Sequence, residues 1–389
     1  MQMSWRGNLF LSSSALMKNL LEIHCSSATL RQQHLHKANI MKKILQAAAA
    51  IITVIIMTLG IFILWGSSST ISEEEFLKGS TSKGPGTEAA SKKIWSLMTY
   101  NVGFASGMAN SLPYQPGKKY FEKNMATIQA MLKKEKPDFL TVQEIDRDSN
   151  RSFHINQVTA IAKKQKYHAV AYAPNFTKNY VPFPYWPPSA HWGKVNSGQA
   201  LFSSLPVTGQ KITHLDPPED YSLVYRAFYI GRAIQKIEVN LKGRKIFIFN
   251  VHLEAWDGPT REKQAAILLD HYRKVKNHPV IIAGDFNVTP SYATRKHNFP
   301  DDSYGVVDYR GEKTIDIILQ EKSLKTAVSR EEYLKNEKKY MTYTSANPHM
   351  RIDFIFYNTL IQKVESRVIA EYVSASDHRP LLMRFRIKK

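Results

Sequence analysis

The octapeptide VIIAGDFN, Val280–Asn287, decides the fold. Its first residues form a short apolar, β-branched run of the kind that builds a buried strand, and the run gives way abruptly to Asp285 and Asn287. The same pattern recurs along the chain. Asn101 closes MTYNV, Glu144 closes FLTVQE and His252 closes FIFNVH. Asp353 sits in RIDFIF, and Asp377 and His378 stand together in SASDHRPL just before the last apolar run. Strands are therefore expected at Trp95–Val102, Phe139–Gln143, Ala200–Ser203, Ala227–Val239, Lys245–Val251, Val280–Asp285, Ile352–Tyr357 and Leu381–Ile387.

Helical stripes lie between several of these runs. Tyr120–Lys134 sets Phe121, Met125, Ile128, Met131 and Leu132 on one face, and Thr260–Lys276 opens on a capping residue and turns Ala265, Leu268, Leu269 and Tyr272 inward. Strands with helices between and after them predict an α/β domain of two face-to-face sheets covered by helices. The stretch 150–218 is the least regular.

A strand-terminal Asn or Asp is ordinarily a turn former, and a lone His is ordinarily a satisfied structural residue. Here carboxylates, carboxamides and imidazoles recur at the ends of several strands. Converging, such ends form one cleft of oxygen ligands and imidazoles. The chain has a single cysteine, Cys25, which excludes an internal disulfide framework and a Cys-based zinc site. Oxygen ligands without thiolates suit Mg²⁺ or Mn²⁺.

The chain has 389 residues, 43% of them hydrophobic and 11% aromatic, which excludes a disordered protein. Its net charge of +20 favours an anionic partner such as nucleic acid, phospholipid headgroups or a phosphorylated small molecule. Six Lys or Arg and one Glu precede residue 44, so about +15 lies beyond it.

Ala47–Trp65, AAAAIITVIIMTLGIFILW, is a run of 19 uncharged residues. At about 1.5 Å per residue it is long enough for a bilayer core. Lys37, Lys42 and Lys43 precede it and Glu73, Glu74 and Glu75 follow it, so the positive-inside rule places the N-terminus in the cytoplasm and the rest outside. Residues 1–43 are expected as a cytoplasmic segment, with Met41 an alternative start, and 44–65 as a signal-anchor. Cleavage and secretion is the other reading of the same run. Residues 66–93, rich in Ser, Gly and Thr, read as a flexible linker, and 94–389 as the globular domain.

TYNV, VQEID, NVHLE, AGDFNVTP, RIDFIF and SDHRPL, in this order, resemble the endonuclease/exonuclease/phosphatase superfamily. That superfamily includes pancreatic-type deoxyribonuclease, abasic-site endonucleases, neutral sphingomyelinases and inositol polyphosphate 5-phosphatases. The resemblance covers about residues 94–389. It implies a four-layer α/β sandwich of two mixed sheets flanked by helices, and hydrolysis of a phosphate ester with Mg²⁺ or Mn²⁺. Carried over residue by residue, it makes Glu144 the main metal ligand, assisted by Asn101 and Asp377. It makes His378 a general base or phosphate-polarising imidazole held by Asp353. Asp285 would orient or deprotonate the attacking water, Asn287 would bind a phosphate oxygen, and His252 would stabilise the transition state or protonate the leaving group. Ser203 and Ser204 are given no catalytic part.

The expected function is therefore a membrane-anchored phosphodiesterase acting outside the cytoplasm on nucleic acid or a phospholipid headgroup. An inositol-phosphate type of phosphomonoesterase is the alternative. A catalytically inactive, membrane-tethered binding protein would show gaps at the motif positions, and none is present. The aromatic, proline-rich tract 171–192 matches no family motif. It suits a membrane interface, stacked bases or plain packing at the sandwich edge. Nothing points to a protein partner.

Overall fold

Along Arg244–His252 the side chains alternate between two surroundings. Phe247, Phe249 and Val251 pack on one face, while Ile246, Ile248, Asn250 and His252 occupy the other. This period of two recurs in neighbouring strands and divides the interior into three apolar layers. The computed structural model describes residues 10–69, 80–82, 92–110, 114, 116–241, 243–299, 308–372 and 374–388. They fall into two units, Met1–Leu64 and Trp65–Lys389.

The first unit is helical. Helix α1, Phe10–Ser67, contains the apolar run and is the one helix among the described residues long and apolar enough to cross a membrane. The second unit begins with the last turn of that helix. Its strands, in chain order, are β1 (Ser80–Ser82), β2 (Trp95–Asn101), β3 (Phe139–Asp146), β4 (Ala169–Val181), β5 (Gly193–Ser203), β6 (Val207–Leu215) and β7 (Arg232–Leu241). There follow β8 (Arg244–His252), β9 (Val280–Asp285), β10 (Leu324–Thr326), β11 (Asp353–Asn358), β12 (Ile361–Val368) and β13 (Leu381–Ile387). One sheet runs β1-β4-β5-β3-β2-β13-β12 and the other β10-β11-β9-β8-β7-β6. Both are mixed: β2 with β3 and β8 with β9 are parallel, their other neighbours antiparallel.

The sheets pack through Trp95, Leu97, Phe139 and Phe385 on one side and Ile237, Ile248, Ile281 and Ile355 on the other. Helices α2 (Lys118–Glu135) and α3 (Gln157–Gln165) cover the outer face of the first sheet, where Met125, Ile128 and Met131 meet Met98, Leu140 and Val142. After the short α4 (Leu223–Ala227), helix α5 (Gly258–Arg273) covers the second sheet, setting Leu268, Leu269 and Tyr272 against Phe249 and Phe354. Asp257 caps α5 by accepting from Thr260 N at 2.8 Å. The four-layer sandwich expected from the sequence is thus the observed architecture. Each such buried aliphatic or aromatic side chain contributes about 1.5–3 kcal/mol by leaving water.

Several boundaries differ from expectation: the strand expected at Ala200–Ser203 begins at Gly193, and the one expected at Phe139–Gln143 runs on to Asp146. The strand expected from Ala227 starts at Arg232, because Leu223–Ala227 forms a helical turn whose Ser222 cap accepts from Tyr225 N. Within the tract expected as a linker, Ser67 still belongs to the helix and Ser80–Ser82 pairs antiparallel with Ala169–Ala171.

Between the sheets the filling changes along the strands. Apolar residues give way to amides. Asn250 donates to the carbonyls of Val142 and Ala200 and to Gln235 Oε1 at 3.0–3.1 Å, and accepts from Gln143 Nε2 at 2.6 Å. Gln199 Nε2 donates to Asn250 O at 2.9 Å. These neutral bonds tie β3, β5, β7 and β8 together across the sheet interface. Ser203, at the far end of β5, is buried, and its hydroxyl bonds Leu205 in the following turn.

Candidate active site

Beyond the amides the inter-sheet face carries charge, and strand register puts it in a row. His252 on β8 pairs with Asp285 on β9, and Asp285 pairs with Asp353 on β11. Residues paired in register point to the same face, so three strand-end side chains far apart in sequence line one edge of the second sheet. On the first sheet Asn101 ends β2 directly opposite Gln143 of β3.

Simple alternation along β3 places Thr141 and Gln143 inward and would turn Glu144 away. A β-bulge reverses this. Between Val142 and Ile145 the register with β5 slips by one residue, and Glu144 adopts a left-handed φ of 51°. Such a conformation in a non-glycine residue is strained by about 1–3 kcal/mol. The bulge aims the carboxylate back into the cleft. There Asn101 Nδ2 donates to Glu144 Oε1 at 3.1 Å and to Asp285 Oδ2 at 3.0 Å.

Asp285 is the hub. Its Oδ2 lies 3.6 Å from His252 Nε2 and 3.7 Å from His378 Nε2, and its Oδ1 accepts from Asn287 N at 2.9 Å. Burial raises its carboxyl to about 7, with Asp353 adding to the rise and His378 opposing it. The two imidazoles sit in opposite electrostatic surroundings. Burial holds His252 well below its usual pKa, reinforced by the Arg232 and His378 charges. Burial also works against a charge on His378, but Asp353, Asp285 and Asp377 more than offset it and raise its pKa well above the usual value. His378 Nδ1 and Asp353 Oδ2 are 2.9 Å apart, so the proton on Nδ1 is donated to the carboxylate.

Asp377 lies on the other side of Asn101. It accepts from Asn110 Nδ2 at 3.3 Å and from Ser376 Oγ at 3.2 Å, and Ser376 Oγ also bonds Asn101 O at 2.7 Å. Gly103 passes close by with a φ of +47°, and a Cβ there would lie 2.8 Å from Asp377 Oδ1. The space beside this carboxylate therefore tolerates no side chain. Asn287 stands in the turn after β9 with one Nδ2 hydrogen committed to Leu253 O at 3.0 Å. All eight residues singled out from the sequence thus lie at one end of the sandwich.

The sequence missed Arg232. It is buried beside His252, with Nη1 3.2 Å from His252 Nδ1 and in contact with Nε2 as well, while its guanidinium carbon lies 5.7 Å from the Trp256 ring. Burial lowers its pKa and the charges of Glu144 and Asp285 counteract that. An arginine opening a strand is an ordinary sight. Only its neighbour across the ladder, Ala233 facing His252, marks it out. Asn110 and Ser376 were missed for the same reason: small polar residues in loops carry no pattern.

Ligand atoms of Asp285, Asp353 and His378 lie within 4.8 Å of one another. Within this group His378 Nδ1 and Asp353 Oδ2 already bond each other at 2.9 Å, which leaves Nε2 as the free nitrogen of that ring. Glu144, Asn101 and Asp377 carry oxygens of the type a hard divalent ion takes, although here Asn101 turns Nδ2 toward Glu144 and its Oδ1 accepts from Gly103 N at 3.0 Å.

The profile of the Endonuclease/Exonuclease/phosphatase family matches residues 98–378. The chain belongs to this family, whose members are divalent-metal-dependent hydrolases of phosphate esters. No curated protein sequence matches the chain. Among solved structures, an endonuclease/exonuclease/phosphatase from Beutenbergia cavernae is 20% identical, covering 76% of this chain and 72% of that one with a TM-score of 0.56. A mannosyl-6-phosphatase from Bacteroides thetaiotaomicron is 15% identical, covering 75% of this chain and 99% of that one at 0.51. A family protein from the same organism is 13% identical, covering 76% and 98% at 0.51. At these identities the likeness is one of fold.

Proposed function

We propose that this member of the endonuclease/exonuclease/phosphatase family is a membrane-anchored, divalent-metal-dependent phosphodiesterase acting outside the cytoplasm. Its substrate is a phosphodiester of nucleic acid or of a phospholipid headgroup. The observation that carries the reading is Asp285 Oδ2 standing between the His378 and His252 imidazoles, at 3.7 and 3.6 Å, and joined to Glu144 through Asn101 Nδ2. Glu144, Asn101 and Asp377 would hold Mg²⁺ or Mn²⁺, which supplies charge neutralisation at the phosphoryl oxygens.

The chain's own groups account for the rest. His378, oriented by Asp353, presents Nε2–H to a non-bridging phosphoryl oxygen. Asn287 adds its remaining amide hydrogen to the same group. Asp285 takes the proton of the attacking water as the new P–O bond forms and the bond to the leaving oxygen breaks. His252 and Arg232 stabilise the charge that builds in the transition state. The departing oxygen takes a proton from solvent and Asp285 returns its own to solvent, so the products are a phosphomonoester and an alcohol.

The apolar run with lysines before it and glutamates after it supports an anchor with the domain outside. The test is turnover of the full chain in detergent on bis(p-nitrophenyl) phosphate, plasmid DNA, RNA and phospholipid vesicles. Hydrolysis of at least one, abolished by EDTA and restored by Mg²⁺ or Mn²⁺, is expected. Metal-independent hydrolysis, or none on any of the four, would overturn the proposal. Faster turnover of p-nitrophenyl phosphate than of the diester would favour a phosphomonoesterase.

A further inference from the structure

The aromatic tract that the active site leaves unused divides into two parts. Trp192 is packed, with its ring against Phe104, Phe176 and Phe183 and the Arg151 guanidinium 4.5 Å away. Tyr185 and Trp186 are the opposite, 71% and 78% exposed. Helix α4 also presents Leu223 at 85%, Val224 at 52% and Tyr225 at 41%. Exposed Leu, Val, Tyr and Trp in one neighbourhood form an apolar surface that water does not favour. The two segments share one neighbourhood, because Tyr180, which leads into the first, and Phe228, which directly follows the second, both come within 3.3 Å of the Gly66 Cβ position. Four residues after Phe228, Arg232 stands 5.7 Å from the exposed Trp256 ring and 3.2 Å from His252 Nδ1, so the surface runs up to the cleft.

The other end of this surface is where the chain leaves the apolar run. Trp65, the last residue of that run, stacks on Tyr180 at 6.3 Å. Asn179 Nδ2 donates to Trp65 O at 3.0 Å, and Lys178 Nζ donates to Ser67 O at 3.0 Å. The Cβ position of Gly66 lies 3.3 Å from the Phe228 ring and from Tyr180 O. Phe228 directly follows α4, and Tyr180 leads into the loop that carries Tyr185 and Trp186. If the run spans a bilayer, Trp65 at its end stands at the boundary between lipid and water.

We infer that Tyr185–Trp186 and Leu223–Tyr225 form a membrane-seating surface that holds the cleft mouth against the phospholipid bilayer in which the same chain is anchored. Trp and Tyr are the side chains that favour the headgroup level, where the ring is in apolar contact and the polar atom stays wet. This inference rests on the reading of Ala47–Trp65 as a membrane span. It adds that the substrate is met at the lipid surface.

The test uses the full chain in vesicles of phosphatidylcholine and phosphatidylglycerol, with Cys25→Ser as background. Single substitutions Trp186→Cys and Leu223→Cys carry an environment-sensitive fluorophore. Leu334→Cys is the control, on the helix Arg330–Lys335 whose Glu332 pairs with Lys363 of β12. Labels at 186 and 223 should lose most of their quenching by aqueous iodide while the label at 334 keeps it. If the chain floats with alkali-washed vesicles but all three labels are quenched alike, the seating surface is wrong and the anchor stands. If the chain does not float, the anchor reading fails and the seating surface falls with it. Protection that vanishes on dilution to below one chain per vesicle would mean that a second copy covers the surface, which also overturns the inference.

Discussion

Asn250 and His252 stand two residues apart on β8 and face the same way, yet they belong to opposite kinds of polar interior. Around Asn250 the groups are neutral and bonded at ordinary hydrogen-bond distances. Around His252 they are charged and separated by 3.6–3.8 Å from the carboxylates they face. Among the described residues, buried atoms without a hydrogen-bond partner occur in both layers: Gln143 Oε1 in the first, Asp353 Oδ1 and Arg232 Nε in the second. A neutral amide layer, bonded across both sheets at ordinary distances, fixes how the sheets meet. A charged layer left partly open keeps donors and acceptors for something else. The first positions the sheets, and the second is the proposed place of reaction.

That contrast makes separable expectations for rate and stability, measured on the same preparation. The largest effect is expected from Glu144→Gln, which keeps shape and hydrogen bonding and removes the anionic ligand. Turnover should fall on the order of 10³-fold or more with the melting temperature held. Wild-type metal affinity and turnover would remove Glu144 from the site. His378→Ala comes next, with a rate loss of about 10²- to 10³-fold and a much smaller change in substrate affinity. A variant that melts lower but turns over normally would show that His378 belongs to the structural layer.

Asn250→Ala should do the reverse. It strands the carbonyls of Val142 and Ala200 and Gln235 Oε1 without a donor, so stability in urea should drop by roughly 3 kcal/mol with turnover per folded molecule near wild type. An unchanged melting curve would sink the structural role of the amides. The smallest effect is expected from Asp353→Asn, about 10-fold in rate, since it misorients the imidazole without deleting it. Combined with His378→Ala it should add nothing, because both act through one ring. Additive losses would show that Asp353 works independently.

The strands missed from the sequence have a common physical reason. β12 and β6 lie at the edges of their sheets and alternate only weakly, as IQKVESRV and VTGQKITHL show. Edge strands carry charge to discourage further pairing, and this erases the apolar signature. β4 was hidden by Pro174 and a polar second half. Strands that bury both faces, such as β8 and β9, were readable throughout.

By itself the sequence determined the strand ends. An apolar run cannot continue through Asp285, His252 or Asn101 without burying an unpaired polar group, so the change of chemistry marks both the boundary and the candidate site. The length of Ala47–Trp65 without a charge likewise needs no tertiary contact to be read. Only the tertiary structure decided which of those ends meet. Register across β8, β9 and β11 aligned His252, Asp285 and Asp353, which are distant in the chain. A one-residue bulge with strained φ turned Glu144 toward Asn101, against the alternation its sequence implies. Arg232 became part of the site only because the ladder lays β7 against His252. Alternation is a local property and is written in the chain; register and bulges are set by how whole sheets pack, and are not.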